Sequence, residues 1–174
     1  MEEEKKQIKI MKRGQAVVTD LFIAIAVFIV LITITTIIWD LYTIRLKMRQ
    51  EFEDMVIKSI QISDQLVKSS GYPLDWEFKI FSDPDYIKII GLAYDDRKLS
   101  TEKINAFRTN ITDQKVKDLF NIGLYNYYFT IKEKNGSILL AKGNNPVGSF
   151  NTVNLARIIV YKNEPRIMEF ALWK

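Results

Sequence analysis

The chain has 174 residues, enough for one domain or for a small domain carried on a long helix. It contains no cysteine and no histidine, which excludes disulfides, thiolate nucleophiles and the commonest zinc ligands. The net charge is +4, and beyond the first fourteen residues acids and bases alternate without a dense basic stripe. The composition therefore predicts a structural or binding role, with no enzyme activity, no cofactor, no metal and no nucleic-acid partner.

A long apolar run lies near the N-terminus. Residues Leu21 to Trp39 read LFIAIAVFIVLITITTIIW and carry no charged side chain. As a helix this run covers roughly 28 Å, close to the hydrocarbon thickness of a bilayer. Its threonines can donate to carbonyls one turn back, and Trp39 suits the aromatic belt at a membrane surface. The run predicts a single membrane-spanning helix.

Basic residues precede this helix, and the positive-inside tendency keeps them in the cytoplasm and places the C-terminal part outside the cell. A secretory signal would have a shorter apolar stretch followed by small residues, whereas Ile37–Asp40 is bulky or charged. Any processing is therefore expected at the front of the helix. Translation from Met11 instead of Met1 would leave a short leader, and the sequence does not decide between the two starts.

The sequence KRGQA at residues 12–16, followed at once by the apolar helix, resembles the class III signal peptide of archaeal type IV pilin-like proteins. In that family a prepilin peptidase cuts after the glycine. The resemblance implies that Gly14 ends the leader and Gln15 begins the mature chain, with Lys12 and Arg13 as the basic pair that the peptidase recognises. A glycine also lets the backbone lie extended in a protease cleft. The alternative is an uncut anchor that carries these residues by chance.

The fifth mature position differs from the common family pattern. Many pilins carry Glu there, and its carboxylate can pair with the N-terminal amine of a neighbouring subunit. In this chain the position is Thr19, and Asp20 follows directly. Because consecutive helix residues are rotated by about 100°, Asp20 does not reproduce an identical contact. The resemblance still implies that Thr19 and Asp20 face the neighbour's N-terminus, and it leaves open whether the subunit is a major or a minor one.

The helix is expected to continue beyond the membrane. An apolar stripe runs at steps of three, four or seven through Leu41, Ile44, Met48, Phe52, Met55, Ile62 and Leu66. It stops where Gly71 can cap a helix and Pro73 forbids continuation. This predicts a helix from Ala16 to Ser69, divided into a transmembrane part at 15–40 and an amphipathic stalk at 41–70. Pilins of this family are similar: the lower helix is buried among subunits and the upper helix packs on a β-rich head.

The segment SGYPLDWE at residues 70–77 also resembles a turn that follows the long helix in archaeal pilin-like proteins. Tyr72 and Trp76 are expected to pack this turn against the head. A ligand-binding aromatic patch is the alternative.

Residues 71–174 are predicted to form an α+β head. Two short helices are expected: Ser100 can cap one that runs to about Arg108, and Thr112 or Asp113 can start another that runs to about Asn121. Alternating residues around an Asn-Gly turn predict one hairpin at 125–141, and a second is expected at 154–172. The resulting antiparallel sheet of four or five strands would lay its apolar face on the upper half of the stalk. The complete layout, a long transmembrane and stalk helix with a small sheet-containing head, is type IV pilin-like.

Two sequons lie on the predicted outer side, at Asn110 and Asn135. Asn110 is the better candidate for a glycan because Asn135 belongs to a tight turn that favours Asn-Gly for its own reasons. Acidic pairs at Asp83–Asp85 and Asp95–Asp96 are interpreted as turn formers, since they lack the spacing of a calcium loop.

The combined prediction is a structural subunit of a cell-surface type IV pilus-like filament, found first in the cell membrane and then in an extracellular filament. The resemblance implies other copies or related pilins, the prepilin peptidase, a pilus assembly ATPase and a membrane platform as partners. The alternative is an unprocessed, single-pass membrane-anchored module for extracellular binding or adhesion. Adhesion, motility, secretion and DNA uptake are not distinguished by the sequence.

Overall fold

The computed structural model describes residues 2–80, 84–149 and 151–174, with side chains from residue 18 onward except at 81–84 and 150. The chain forms two compact units, Met1–Gln50 and Glu51–Lys174. The first consists of helix in its described residues, and the second holds a short continuation of that helix and all the strands. As predicted, the fold is α+β, with a long N-terminal helix and a sheet rich in antiparallel pairs.

Helix α1 (Glu2–Lys68) ends within one residue of the predicted position. It begins earlier than the predicted Ala16 because residues 2–13 are mainly Glu, Lys, Met and Ile, most of which favour a helix. Beyond Lys68, Gly71 has a φ of +83, and a Cβ there would lie 2.7 Å from the carbonyl oxygen of Ile89. Glycine is therefore required where the chain turns into the head.

Short helices and six strands follow α1. Their bounds are α2 (Trp76–Lys79), a 3-10 turn (Pro84–Tyr86), β1 (Ala93–Asp95), β2 (Lys98–Leu99), α3 (Thr101–Thr109), α4 (Asp113–Leu119), β3 (Asn126–Lys132), β4 (Ile138–Gly143), β5 (Thr152–Tyr161) and β6 (Glu164–Trp173). The hydroxyls of Ser100 and Thr112 accept from the backbone N–H groups three residues later. The predicted cap at Ser100 is confirmed, and of the two candidates for the second helix Thr112 is the cap, with Asp113 as the first helical residue.

The strands form one sheet in the order β1-β2-β5-β6-β3-β4. Both predicted hairpins are present, as the antiparallel pairs β3–β4 and β5–β6. The prediction of four or five antiparallel strands was wrong in two respects: the sheet has six strands, and β2 pairs with β5 in parallel. Strands of two or three residues are too short to show an alternating pattern, so β1 and β2 left no signal in the sequence.

The apolar face of the sheet packs on the part of α1 that belongs to the second unit. Met55, Ile62 and Leu66 are at most 4% exposed and share one core cluster with strand residues such as Phe129 and Phe170. The predicted packing of the sheet on the upper stalk is thus confirmed. Two serines on the same stretch of α1, at positions 59 and 63, are fully buried.

Candidate functional site

The apolar surface of α1 is the most extensive exposed feature of the described chain. From Val18 to Met48 its large apolar side chains keep between 42% and 70% of their surface exposed. By length and composition this helix can cross a membrane, and none of its most apolar stretch is buried within the chain. A surface of this kind needs lipid or other protein to cover it.

The threonines in this surface return their hydroxyl protons to the helix backbone. Thr33 donates to the carbonyl of Ile29 and Thr35 to the carbonyl of Leu31, each at 2.8 Å. Thr36 bonds in the same way to the carbonyls of Ile32 and Thr33, at 3.1 and 2.8 Å. The predicted back-bonding is confirmed, and each of the three hydroxyls donates its proton to the backbone of its own helix.

The predicted cleavage region lies inside α1, where the backbone of Gly14 is helical. The side chains of Lys12, Arg13 and Gln15 fall outside the described residues. Thr19 and Asp20 are described, and both are exposed. They occupy successive positions of the helix at the start of the apolar surface. Their contact with a neighbouring subunit stays a prediction.

The turn after α1 is anchored by Trp76. This side chain is fully buried, and its indole N–H is shared by the carbonyls of Ser70 and Gly91, both at 3.2 Å. The prediction for Trp76 is confirmed, whereas the prediction for Tyr72 was wrong, because Tyr72 is 63% exposed. Its backbone pairs with that of Ile89 in an isolated bridge, which fixes the turn without burying the ring.

Lys103 is the residue of this anchor that sequence reasoning missed. Its ammonium donates to the carbonyls of Ser70 and Leu74, at 2.8 and 2.6 Å, and to the carboxylate of Glu77 at 3.0 Å. It also lies 5.6 Å from the centre of the Trp76 ring. A lysine on a surface helix is ordinarily solvated, so its sequence position gave no signal of this role. The contacts tie α3 to the turn that ends α1.

Both sequons lie in the head. Asn110 is the C-cap of α3, is half-buried, and accepts at 2.7 Å from the hydroxyl of Thr109. Asn135 is exposed in the β3–β4 turn, where its oxygen accepts from the N–H and the hydroxyl of Ser137 at 2.9 and 2.8 Å. Each side chain therefore has a local structural role, and glycosylation at either remains a prediction.

Aspartates in the two predicted acidic turns form ion pairs with lysines. Asp83 lies outside the described residues, while the carboxylate of Asp85 pairs with Lys115, whose hydrogen bond lowers the pKa of Asp85. Asp95 accepts from Lys98 at 2.7 Å, and that bond likewise lowers the pKa of Asp95. Within the described part of the chain, no three acidic side chains are grouped as a metal site would require. These contacts support the interpretation of the acids as turn formers.

Comparison of the chain with protein-family models, with curated proteins and with solved structures gives no match.

Proposed function

We propose that this chain is a pilin-like structural subunit of a cell-surface, type IV pilus-like filament, released from its leader by cleavage after Gly14. The observation that carries the proposal is the exposed apolar surface of α1. In the sequence it begins directly behind Lys12-Arg13-Gly14, and the buried part of α1 begins only at Met55. One helix thus has a segment that needs outside partners and a segment that is covered by its own head.

The physical chemistry of the exposed segment suits two successive environments. In the membrane, lipid covers the apolar side chains, and the threonine hydroxyls are bonded to the backbone. Removal of the charged leader lets the same surface exchange lipid for helices of other copies, because packed helices offer equally apolar contacts. The peptidase, an assembly ATPase and a membrane platform are the partners that this assembly needs.

The N-terminal mass of the protein isolated from its own cells tests the proposal. We expect a mature chain that begins at Gln15. Gly14→Val should retain the leader because the added branched side chain obstructs an extended backbone in the protease cleft. Ala16→Val is the matched control, and its cleavage should continue. An intact leader on the wild-type chain, in cells with an active prepilin peptidase, would contradict the proposal.

That contrary result would favour a second candidate, an uncut membrane-anchored binding module. One observation supports it: Leu74 and Phe78, on the turn and on α2, are 72% and 69% exposed. Large apolar side chains that protrude from a head are typical of surfaces that bind other molecules. An intact leader together with loss of a surface ligand in the double variant L74S/F78S would identify this function.

A further inference from the structure

We infer that the head binds a phosphate monoester in a basic cavity between the last turns of α1 and the edge of β5. The cavity has a volume of about 440 Å³, and its charged lining residues are Asp64, Lys68, Arg97 and Arg157. Three of these side chains are cationic and one is anionic, which gives the lining a net charge of +2. A phosphate monoester carries close to two negative charges at neutral pH and is therefore complementary in charge.

Two of the three bases share the one carboxylate of the cavity. The Asp64 carboxylate lies 2.8 Å from the ammonium of Lys68 and 3.1 Å from the guanidinium of Arg157. The hydrogen bond from Lys68 lowers the pKa of Asp64, so the carboxylate stays ionised and holds both cationic side chains at the cavity. One negative charge does not neutralise two positive ones. This side of the cavity therefore keeps an excess of positive charge.

Arg97 supplies the third positive charge, and it is only loosely paired. Its guanidinium lies 4.0 Å from the carboxylate of Asp96, and the two side chains are 63% and 69% exposed. An exposed pair of this length contributes little in water. The Arg97 side chain can therefore turn to an anion in the cavity at small cost.

The backbone of Arg97 indicates that this side chain has a use. Its φ is +57, in the left-handed region where glycine and asparagine are favoured over arginine. The Arg97 N–H donates to the carbonyl of Val67 at 2.9 Å, and its carbonyl accepts from the N–H of Val160 at 2.8 Å. An asparagine would form the same two backbone bonds with less strain. The arginine is thus explained by its side chain and not by the turn.

The edge of β5 adds backbone donors to the cavity. β5 pairs with β6 in unbroken register over residues 152–161, whereas β2 reaches only the last two of these residues. The N–H of Val160 points away from β6, since it donates to Arg97. By alternation the N–H groups of Ala156 and Ile158 point the same way, and both residues line the cavity. An anion there can accept from backbone as well as from side chains.

The end of α1 does not oppose an anion at this place. The C-terminus of a helix carries partial negative charge on carbonyls that have no partner in the helix. Here the carbonyl of Leu66 accepts from the N–H of Leu92 at 3.1 Å, and that of Val67 accepts from Arg97. These bonds satisfy the carbonyls, and the ammonium of Lys68 adds positive charge beside them.

The donors favour a phosphate monoester over other anions. Its three terminal oxygens provide one acceptor for each cationic side chain, and guanidinium groups bind phosphate with two parallel hydrogen bonds. A carboxylate or a phosphate diester offers one charge and two such oxygens. The cavity is also large enough for more than the phosphate group. Ile158, which is 73% exposed, provides an apolar contact for the organic part of the ester.

Phosphorus-31 NMR of isobutyl phosphate tests the ligand class, with the full chain in micelles of a phosphorus-free detergent. The wild type should shift and broaden the signal saturably, with one site per chain. Diethyl phosphate, a diester, should bind roughly tenfold more weakly or less, because it loses a charge-assisted hydrogen bond. Inorganic phosphate should also bind more weakly, since it has no organic part. The inference fails if isobutyl phosphate does not bind, or if either comparison ion binds equally well.

Arg97→Asn tests the site, and Lys162→Asn is its matched control. Lys162 is exposed and has a φ of +54, so both variants remove one positive charge at a left-handed position. Binding of isobutyl phosphate should weaken roughly tenfold or more in R97N and stay unchanged in K162N. The free energy of unfolding of R97N should not fall, because asparagine suits the backbone. An equal loss of binding in both variants, or a destabilised R97N, would overturn the inference.

Two sources can present a phosphate monoester, namely a soluble ester and a lipid headgroup. Dihexanoyl phosphatidate, titrated in the same micelles with protein-free micelles as the blank, distinguishes them. Tighter binding than that of isobutyl phosphate indicates a headgroup, and weaker binding indicates a soluble ester; both support the monoester class. If R97N bound either compound as the wild type does, this cavity would not be the site. The cavity lies within the second unit alone, so the result does not depend on membrane anchoring or on cleavage after Gly14.

Discussion

The ammonium of Lys103 lies 3.0 Å from the carboxylate of Glu77, and their side chains are only 6% and 9% exposed. Lys103 belongs to α3 and Glu77 to α2, so the ion pair joins two helices on either side of a long connection. The Lys103 ammonium also donates to the carbonyls of Ser70 and Leu74. Together with the Glu77 carboxylate, these carbonyls provide one acceptor for each of its three protons. The end of α1 is thereby held to the head by a fully bonded buried charge.

Replacement of Lys103 should therefore destabilise the head strongly. Lys103→Met leaves the Glu77 carboxylate buried without its partner, and loss of one member of a buried pair typically costs about 3–5 kcal/mol. The free energy of unfolding, measured by denaturant titration of the full chain in detergent micelles with tryptophan fluorescence, checks this value. The double variant K103M/E77Q should recover part of the loss because the unpaired charge is removed.

Lys98→Met is the matched control, since Lys98 forms an exposed pair with Asp95. Exposed pairs contribute little to stability, so this variant should unfold close to the wild type. If K103M were no more destabilised than K98M, the buried pair would not have the anchoring role described above.

Local signals explain the part of the fold that the sequence predicted. The end of α1 follows from Gly71 and Pro73, and the two short helices from the hydroxyls of Ser100 and Thr112. The parallel strand β2 has no such signal. It is positioned by bonds from distant parts of the chain: the N–H of Arg97 donates to the carbonyl of Val67 at 2.9 Å, and Arg97 accepts from the N–H of Val160 at 2.8 Å.

The anchor of the turn was predicted only in part for the same reason. The burial of Trp76 follows from its size and from the apolar turn around it. The role of Lys103 depends on acceptors 26, 29 and 33 residues away in the chain, and no local pattern brings them together. The predicted contacts of Thr19 and Asp20 require a second copy, which lies beyond any single chain.

Tyr127 should make stability fall in alkaline solution. Its hydroxyl donates to the Asp113 carboxylate at 2.6 Å, and burial, reinforced by this bond, raises the pKa of Tyr127 far above the usual value of 10.0. The fold thus favours the protonated phenol. This contribution is complete below the pKa of the unfolded state and is lost as pH rises above about 10. The difference in tyrosinate absorbance between the wild type and Tyr127→Phe should show that Tyr127 ionises only as the head unfolds.

Tyr127→Phe isolates this contribution. It should lower the free energy of unfolding at neutral pH by about 1 kcal/mol, the net value of one hydrogen bond, and it should weaken the pH dependence above about 10. Tyr94→Phe is the control because Tyr94 is 60% exposed. A Y127F profile that follows the wild-type curve across the alkaline range would contradict this role for Tyr127.

The exposed surface of α1 should tolerate apolar substitution but not charge. Leu31 is 58% exposed in the middle of the apolar run. A lysine at the centre of a membrane helix costs about 2.5–3.5 kcal/mol for insertion, so Leu31→Lys should move much of the chain out of the membrane fraction that resists alkaline carbonate extraction. Leu31→Met keeps the surface apolar and should remain in that fraction.

Leu124→Lys is the control that distinguishes a defect in membrane insertion from a general effect of an added positive charge. Leu124 is 86% exposed in the head, so its replacement should leave membrane extraction unchanged. The Thr35 hydroxyl donates to the backbone carbonyl of Leu31, so this hydrogen bond is retained in every Leu31 variant. Any difference in membrane extraction between the Leu31 variants therefore comes from the side chain at position 31. Full carbonate resistance of L31K would mean that this surface is covered by something other than hydrocarbon, because lipid tails offer no partner for a charge in mid-helix.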